Sequence, residues 1–307
     1  MTNEIYTLFR KTLPEIIRNP NTVEEIISDR ANHIILVRES DYTNSVGNNL
    51  LPTEFSSLEN PSATNKLIAV SIIRENVIYL LCVDKNYQGR GIGTELLRKS
   101  EECIAANGYN KVIAGAGINY IMPGIPMNNG AHKFFAKHGY AHSWGDQGCF
   151  DMIQNLNDFE CADISIGDTI NGISYRWATI VDLCNITKCV ADAHEEFVQY
   201  YQDTQLYEPG SKISVLVAEA NGEICGTLMV AQDTEGEGLG SVGCTATMHK
   251  HREKGIAGTL VKLGTKHLKE IGLKKAFLGY TYTYILNIYR RAGYEVYMEY
   301  FMGEKPL

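Results

Sequence analysis

The chain is 307 residues long, which fits two domains of about 150 residues, each large enough to bury its own core. Apolar content of 44% is ordinary for a globular chain, and no run approaches the ~18 apolar residues of a membrane-spanning helix. A formal charge of −8 argues against a nucleic-acid binder, which presents a basic face; it suits a cationic or amine substrate, and equally plain solubility. Met1-Thr2-Asn3-Glu4-Ile5 lacks a basic region followed by an apolar core, so no secretory signal is expected. The eight cysteines form no Cys-x-x-Cys pair and no regular spacing, which argues against a metal site or a disulfide framework. Cytoplasmic residence follows as the default expectation.

In chain order, residues 5–18 and 21–30 read as helices, the second with a capped start at Asn21-Thr22-Val23-Glu24-Glu25. His33–Arg38 is a strand. The polar stretch 39–65 reads as a loop, long enough to be either a flap or a strand hidden by its pattern. Residues 66–73 and 77–83 form a hairpin around Arg74-Glu75-Asn76. The apolar run Val77–Val83 then leads into Tyr87-Gln88-Gly89-Arg90-Gly91-Ile92-Gly93-Thr94. Apolar residues at 92, 96, 97, 103 and 104 fit one face of a following helix, which Gly108 closes. A glycine-rich turn between a strand and a helix N-terminus lets backbone N–H groups surround a phosphate. A Walker loop needs Lys-Ser or Lys-Thr after its last glycine, and Gly93 is followed by Thr94-Glu95. The dinucleotide fingerprint fails too, because the sixth position from Gly89 or Gly91 is Thr94 or Leu96.

What remains, Gln88-x-x-Gly91-x-Gly93, resembles the acetyl-CoA pyrophosphate loop of the GNAT-type N-acetyltransferases; an ordinary glycine-rich turn is the alternative at this point. A second copy decides between them. Arg252-Glu253-Lys254-Gly255-Ile256-Ala257 has the family's Arg/Gln-x-x-Gly-x-Gly/Ala form, and Gly272 stands to Gly108 as Arg252 stands to Gln88. Residues 131–140 and 286–294 likewise both read as a short helix ending in Gly-Tyr, then a strand. Three elements recurring in order identify an internal repeat. The resemblance implies two tandem GNAT-like domains of mixed α/β (α+β) class, each a six- or seven-stranded sheet splayed where the cofactor enters.

Within the first copy, between its cradle helix and residues 131–140, Lys111–Ala114 is a strand, and residues 117–130 are an insertion that the second copy lacks. It either borders an acceptor pocket or packs as a loop. Residues 140–156 give two strands, and the polar stretch 157–163 places the boundary near 160, hence domains 1–160 and 161–307. The second half then reads as a strand at 173–178, helices near 180–192 and 194–203, and strands at 213–220 and 224–230 joined by an Asn221-Gly222 turn. A strand at 241–247, the second cradle and its helix, and strands at 274–278 and 297–302 complete it.

For the cofactor, acetyl-CoA, the resemblance implies Val83 and residues Gln88, Gly89, Arg90, Gly91, Ile92, Gly93 and Thr94 in the first half. In the second it implies Thr247 with Arg252, Glu253, Lys254, Gly255, Ile256, Ala257, Gly258 and Thr259. The family's usual acid is a tyrosine four residues before the glycine of the late Gly-Tyr pair; Tyr289 holds that place in the second half and Phe135 in the first. Phenylalanine has no proton to give, so chemistry is expected in the C-terminal half, on a small-molecule or peptide amine. Tyr289 packing on the sheet is the alternative, as Tyr280, Tyr282 and Tyr284 either line an acceptor pocket or cover the sheet. Glu195 and Glu196 flank the acceptor region without a clear role as base. Two rival functions remain open: an active N-terminal half, or a CoA-binding sensor without turnover. No nucleic acid or membrane partner is expected.

Overall fold

The computed structural model describes residues 1–45, 65–115, 120–161, 164–232 and 238–307. The chain divides into two compact units, Met1–Cys149 with Glu299–Leu307, and Phe150–Met298. The first unit opens with helices α1 (Thr2–Thr12) and α2 (Pro20–Ser28), then strand β1 (His33–Arg38) and a short helix α3 (Glu39–Ser45). A helix thus replaces the start of the loop expected over 39–65, and residues 46–64 lie outside those described. The hairpin β2 (Leu67–Arg74) and β3 (Val77–Val83) follows as expected, then α4 (Ile92–Ala106), β4 (Lys111–Ala114), β5 (Ile125–Pro126), α5 (Ala131–Lys137) and β6 (Ala141–His142).

The second unit begins with β7 (Cys149–Asn155), then β8 (Thr169–Ile170), β9 (Ile173–Trp177), α6 (Leu183–Ala193), α7 (Val198–Tyr201), β10 (Ile213–Ala220) and β11 (Glu223–Ala231). Next come β12 (Leu239–Thr247), α8 (Ile256–Glu270), β13 (Lys275–Tyr282), α9 (Leu286–Arg290) and β14 (Glu295–Phe301), and the last strand, β15 (Gly303–Pro306), returns to the first unit. The long helices expected near 180–192 and 194–203 are each broken into a 3-10 turn and an α-helix.

In the first unit the sheet order is β1-β2-β3-β4-β15-β6, so the last strand of the chain sits between β4 and β6. In the second, the order β14-β7-β13-β12-β11-β10-β9-β8 puts β7, from the end of the first repeat, between β14 and β13. Each repeat therefore gives its final strand to the other unit. The division drawn from sequence near residue 160 and the division by packing differ for this reason: a repeat is visible in sequence, but which sheet takes its last strand is not. Ile121–Pro126, part of the 117–130 insertion, is buried, and β5 within it pairs with Tyr300 and Phe301, which belong to the first unit. The described part of the insertion is thus a packing segment; residues 117–119 lie outside the description.

In both units one long helix packs on the sheet through the face its periodicity predicts. Ile92, Leu96, Leu97 and Ile104 of α4 join Ile68, Ile78 and Val112 in one core, and Ile256, Leu260, Val261, Leu263 and Leu268 of α8 join Leu228, Val230 and Val242 in another. Each such side chain contributes about 1.5–3 kcal/mol on leaving water. Helix α1 packs against β2 and β3, and α6 against β11 and β12.

Candidate active site

Each unit has parallel central strands that meet and then part. In the second, β12 pairs with β13 only over Leu239–Ser241 against Lys275–Phe277, although both strands run on. In the first, β3 pairs with β4 only through Val77 and Ile78. Beyond those points the N–H and C=O groups on that side of β3 and β12 have no ladder partner among the described residues. The Met248 N–H is bonded to the Cys225 carbonyl at 3.0 Å, so by strand alternation the Thr247 N–H faces the opened side. The same holds at Val83, because Asp84 N–H is bonded to the Ile68 carbonyl at 2.8 Å.

The cradles follow directly. Gly91 (φ 83°) and Gly255 (φ 78°) cap α4 and α8 in the left-handed region, and neither helix has a side-chain cap. The first-turn N–H groups of a helix have no partner within it, and they carry the positive end of its dipole. Gln88 Nε2 donates to the Val83 carbonyl at 3.0 Å, and Arg252 Nε approaches the Thr247 carbonyl at 3.4 Å. These equivalent side chains tie each cradle back to the end of its strand. Gly89 (φ 73°) has as its counterpart Glu253 (φ 65°), a side-chain-bearing residue in the same left-handed conformation.

In the second unit a groove of about 810 Å³ gathers Thr247, Arg252, Glu253, Gly255, Ile256, Ala257, Gly258, Thr259 and Tyr289. Of the residues expected there, Lys254 is absent; its Nζ lies 3.4 Å from Nδ1 of His251. The groove also takes His194, Thr245, Lys262, Tyr284, Ile285, Ile288 and Arg291, which motif reading did not assign to the cofactor site. Tyr289 is buried, and its hydroxyl lies 3.2 Å from Thr245 Oγ1. Burial pushes its pKa up to about 12, with the Thr245 hydrogen bond acting the other way. Thr245 reaches that position through a β-bulge: between Thr227 and Met229 of β11 the β12 register gains a residue, with Cys244 at φ 46°. The Thr247 hydroxyl oxygen is buried and has no hydrogen-bond partner among the described residues.

The tyrosine run after β13 divides. Tyr280, at φ 62°, and Tyr282 lie with ring centroids 5.6 Å apart, and Tyr282 stacks on Tyr284 at 5.6 Å. Only Tyr284 of the three lines the groove. Glu195 and Glu196 line a separate shallow depression with Thr187 and Gln199.

In the first unit a groove of about 620 Å³ gathers Val83, Gln88, Gly89, Gly91, Gly93 and Thr94 with Leu13, Cys82, Phe134, Phe135 and Lys137. Ile92 is buried in the core, and Arg90 lies over the rings of Tyr42 (5.7 Å) and Tyr87 (5.2 Å). Phe135 sits edge-on to Phe134 at 5.4 Å and to Tyr140 at 5.1 Å. Burial pushes the Cys82 thiol up to about 12, so it stays a neutral floor residue. Thr94 Oγ1 lies 3.2 Å from His138 Nε2, and His138 Nδ1 donates to the Phe134 carbonyl at 2.8 Å. Among the described residues no three His, Cys, Asp or Glu side chains gather as a metal ion requires.

Residues 61–142 match the family described as Acetyltransferase (GNAT) domain, and residues 177–294 match the Acetyltransferase (GNAT) family. Among solved structures the chain is similar to the GCN5-related glucosamine N-acetyltransferase region of a fungal multi-domain GH3 β-N-acetylglucosaminidase, with TM-score 0.72 and 17% identity. That match covers 99% of this chain and 36% of the fungal one. It is also similar to a GCN5-related N-acetyltransferase from Sphaerobacter thermophilus, with TM-score 0.62, 18% identity, and 99% and 91% of the two chains covered. A tandem GNAT protein from the clavulanic acid biosynthesis pathway, solved without acetyl-CoA, gives TM-score 0.65 and 14% identity over 99% of this chain and 94% of that one. At these identities the likeness is one of fold. No curated protein matches the chain.

Proposed function

Because the chain belongs to the GNAT acetyltransferases and carries two of their domains in tandem, we propose that the second unit transfers the acetyl group of acetyl-CoA to a primary amine, with Tyr289 as proton donor, and that both cradles hold CoA. The residues present fit that ligand. Gly255 leaves open space where a side chain would stand, the buried Thr247 hydroxyl lacks a partner among the described residues, and Arg252, Lys262 and Arg291 line the groove with the positive charge a polyanion needs. Bound acetyl-CoA supplies the acetyl group as an activated thioester.

The protein's part is positioning and proton management. First-turn N–H groups of α8 hold phosphate oxygens, and the Thr247 N–H on the parted edge of β12 is placed to stabilise a carbonyl oxygen. Tyr289, with its pKa at about 12, keeps its proton throughout the working range and is a hydrogen-bond donor at every physiological pH. Full transfer to a thiolate, whose acid form ionises near ~8.5, is uphill in this environment. It becomes favourable only as the acceptor nitrogen releases its own proton, so Tyr289 passes a proton along and does not keep the charge.

The observation that carries this reading is the contrast between grooves: a buried hydroxyl at Tyr289 in one, and Phe135 at the same place in the other. The experiment is thiol release from acetyl-CoA with an amine panel that includes glucosamine, the acceptor named for the fungal relative. Tyr289→Phe is expected to lower kcat by about 10²–10⁴-fold with little change in KM for acetyl-CoA. Full activity in Tyr289→Phe, with loss only on damage to the first cradle, would move the chemistry to the first unit. CoA binding with no turnover of any amine would make the protein a sensor.

A further inference from the structure

Helices α1 and α6 occupy equivalent places, each packed on the strand that ends in a cradle and on its neighbour. Both have 11 residues, and each is closed by a residue whose N–H returns to the carbonyl four back: Leu13 to Phe9 at 2.8 Å, His194 to Val190 at 2.7 Å. Leu13 lines the first groove and His194 the second. The sequence offset that aligns the cradles does not align these two residues, so the correspondence is visible only in the fold. At two matched positions the first groove has Leu13 and Phe135, and the second has His194 and Tyr289. At those two positions the first groove has no group that can exchange a proton, and the second has two.

We propose that His194 is the base that takes the proton from the acceptor ammonium, a role that rests on the acetyl transfer assigned above to the second unit. Nδ1 of His194 lies 3.6 Å from Glu196 Oε1, and the ring sits 5.1 Å from Phe197. A carboxylate beside Nδ1 favours the neutral tautomer with its proton on that nitrogen, which leaves the Nε2 lone pair as the acceptor. Other charged and titratable groups around it are Asp192 on its own helix, Glu195 beyond it, and Tyr289 and Glu253 across the groove. The Arg252 guanidinium reaches the neighbouring Ala193 carbonyl at 3.5 Å. The remaining histidines of the groove are engaged at the cradle end: His249 with Asp192 at 3.2 Å, and His251 with Glu223 at 3.4 Å.

The proton balance closes. R–NH3⁺ gives one proton to Nε2 of His194 and becomes R–NH2, which attacks the thioester carbonyl. The C–N bond forms and the C–S bond breaks. The second nitrogen proton replaces the one Tyr289 gives to the departing sulfur. The sum is R–NH3⁺ plus acetyl-CoA to the acetamide, CoA thiol and one H⁺, which leaves through the part-exposed His194 ring.

The test measures kcat/KM against pH with glucosamine and phenethylamine as acceptors, in the full-length protein and in His194→Gln. A base role predicts, with phenethylamine, a deficit of about 10²-fold or more at pH 7 that shrinks as pH approaches the amine's own pKa, where free amine no longer needs a base, and a smaller deficit with the less basic glucosamine. Affinity for CoA should be unchanged, and imidazole should restore part of the rate in His194→Ala. A deficit equal at every pH, or no deficit, overturns the proposal while acetyl transfer stands. A wild-type protein that turns over neither amine tells against the proposed function itself. In that case the 15N signals of His194, assigned by their loss in His194→Gln, still decide the point: a neutral ring protonated at Nδ1 supports the role, and one protonated at Nε2 overturns it.

Discussion

Glu253 is the residue at which the second cradle departs most from the first, and replacing it separates backbone strain from charge. Its φ of 65° lies where Gly89, at 73°, stands in the first cradle. A side chain in that region costs about 1–2 kcal/mol, and glycine removes this cost. Against it stands the larger freedom glycine has in the unfolded chain, worth about 0.4–1 kcal/mol. The net for Glu253→Gly is a gain of roughly 0.5–1 kcal/mol, or about 1–4 °C in the melting temperature of a unit this size. The carboxylate also lines the groove proposed to receive a pyrophosphate. In high dielectric its repulsion is worth about 0.5–1 kcal/mol, so CoA should bind about two- to five-fold more tightly without it. Glu253→Ala is the partner experiment: it removes the charge but keeps Cβ, and should gain affinity without gaining stability. Calorimetric titration with CoA and thermal melts of the three proteins measure both effects. Weaker CoA binding in Glu253→Gly would refute the reasoning, because it would mean that the carboxylate itself engages the ligand.

Gly91→Val should remove CoA binding from the first unit and leave it in the second, seen as loss of one site by calorimetry. Since a Cβ at Gly91 meets no protein atom within 4 Å, the loss would come from its left-handed φ of 83° and from side-chain bulk in the space left for the ligand. Lys262→Ala should weaken CoA in the second unit by several-fold while 3′-dephospho-CoA binding changes less. Its counterpart Arg98 is already paired with Glu95 at 2.6 Å and with Glu102, so Arg98→Ala should have little effect on either ligand. Asp182 is hydrogen-bonded by Arg176 and by the Thr179 backbone, which hold its pKa down to about 2 against burial. A depressed carboxylate pKa gives stability that is present above the unfolded value near ~3.9 and is lost as pH falls toward the folded one. Asp182→Asn should therefore melt lower at pH 7 and lose that deficit between about pH 4 and 2, as thermal melts across that range would record.

The cradles and their helices were legible because three constraints meet there: a positive φ that glycine satisfies, an apolar face at helical spacing, and a strand immediately before. Gly91, Gly255 and the buried faces of α4 and α8 all stand where those constraints place them. The sheet edges were not legible. Nothing in the composition of Cys149–Asn155 or Gly303–Pro306 says which neighbour completes it, since backbone pairing carries no side-chain signature. Residues 39–45 misled for the opposite reason, because a polar helix shows little apolar periodicity.

The contrast between the two grooves is a stronger argument about function than either groove alone. Both keep the features we assign to phosphate binding: a left-handed glycine cap, a tether from the cradle to the strand end, and a parted parallel edge. Those features depend on backbone, and backbone is what the repeat preserves. They part at the positions to which we assign proton handling, with Phe135 against Tyr289 and Leu13 against His194. The bulge that brings Thr245 to the Tyr289 hydroxyl is another difference. The register of β3 against β2 shifts between Ile72 and Ile73, well away from the cradle end, whereas that of β12 shifts beside Thr245. A bulge displaces one residue from the ladder and so can aim a hydroxyl into a groove that a regular strand would line with alternate side chains only. A unit that only held the ligand would need none of these differences. The second unit has all of them converging on one cavity, and for that reason the chemistry is assigned there while the first cradle is left to binding.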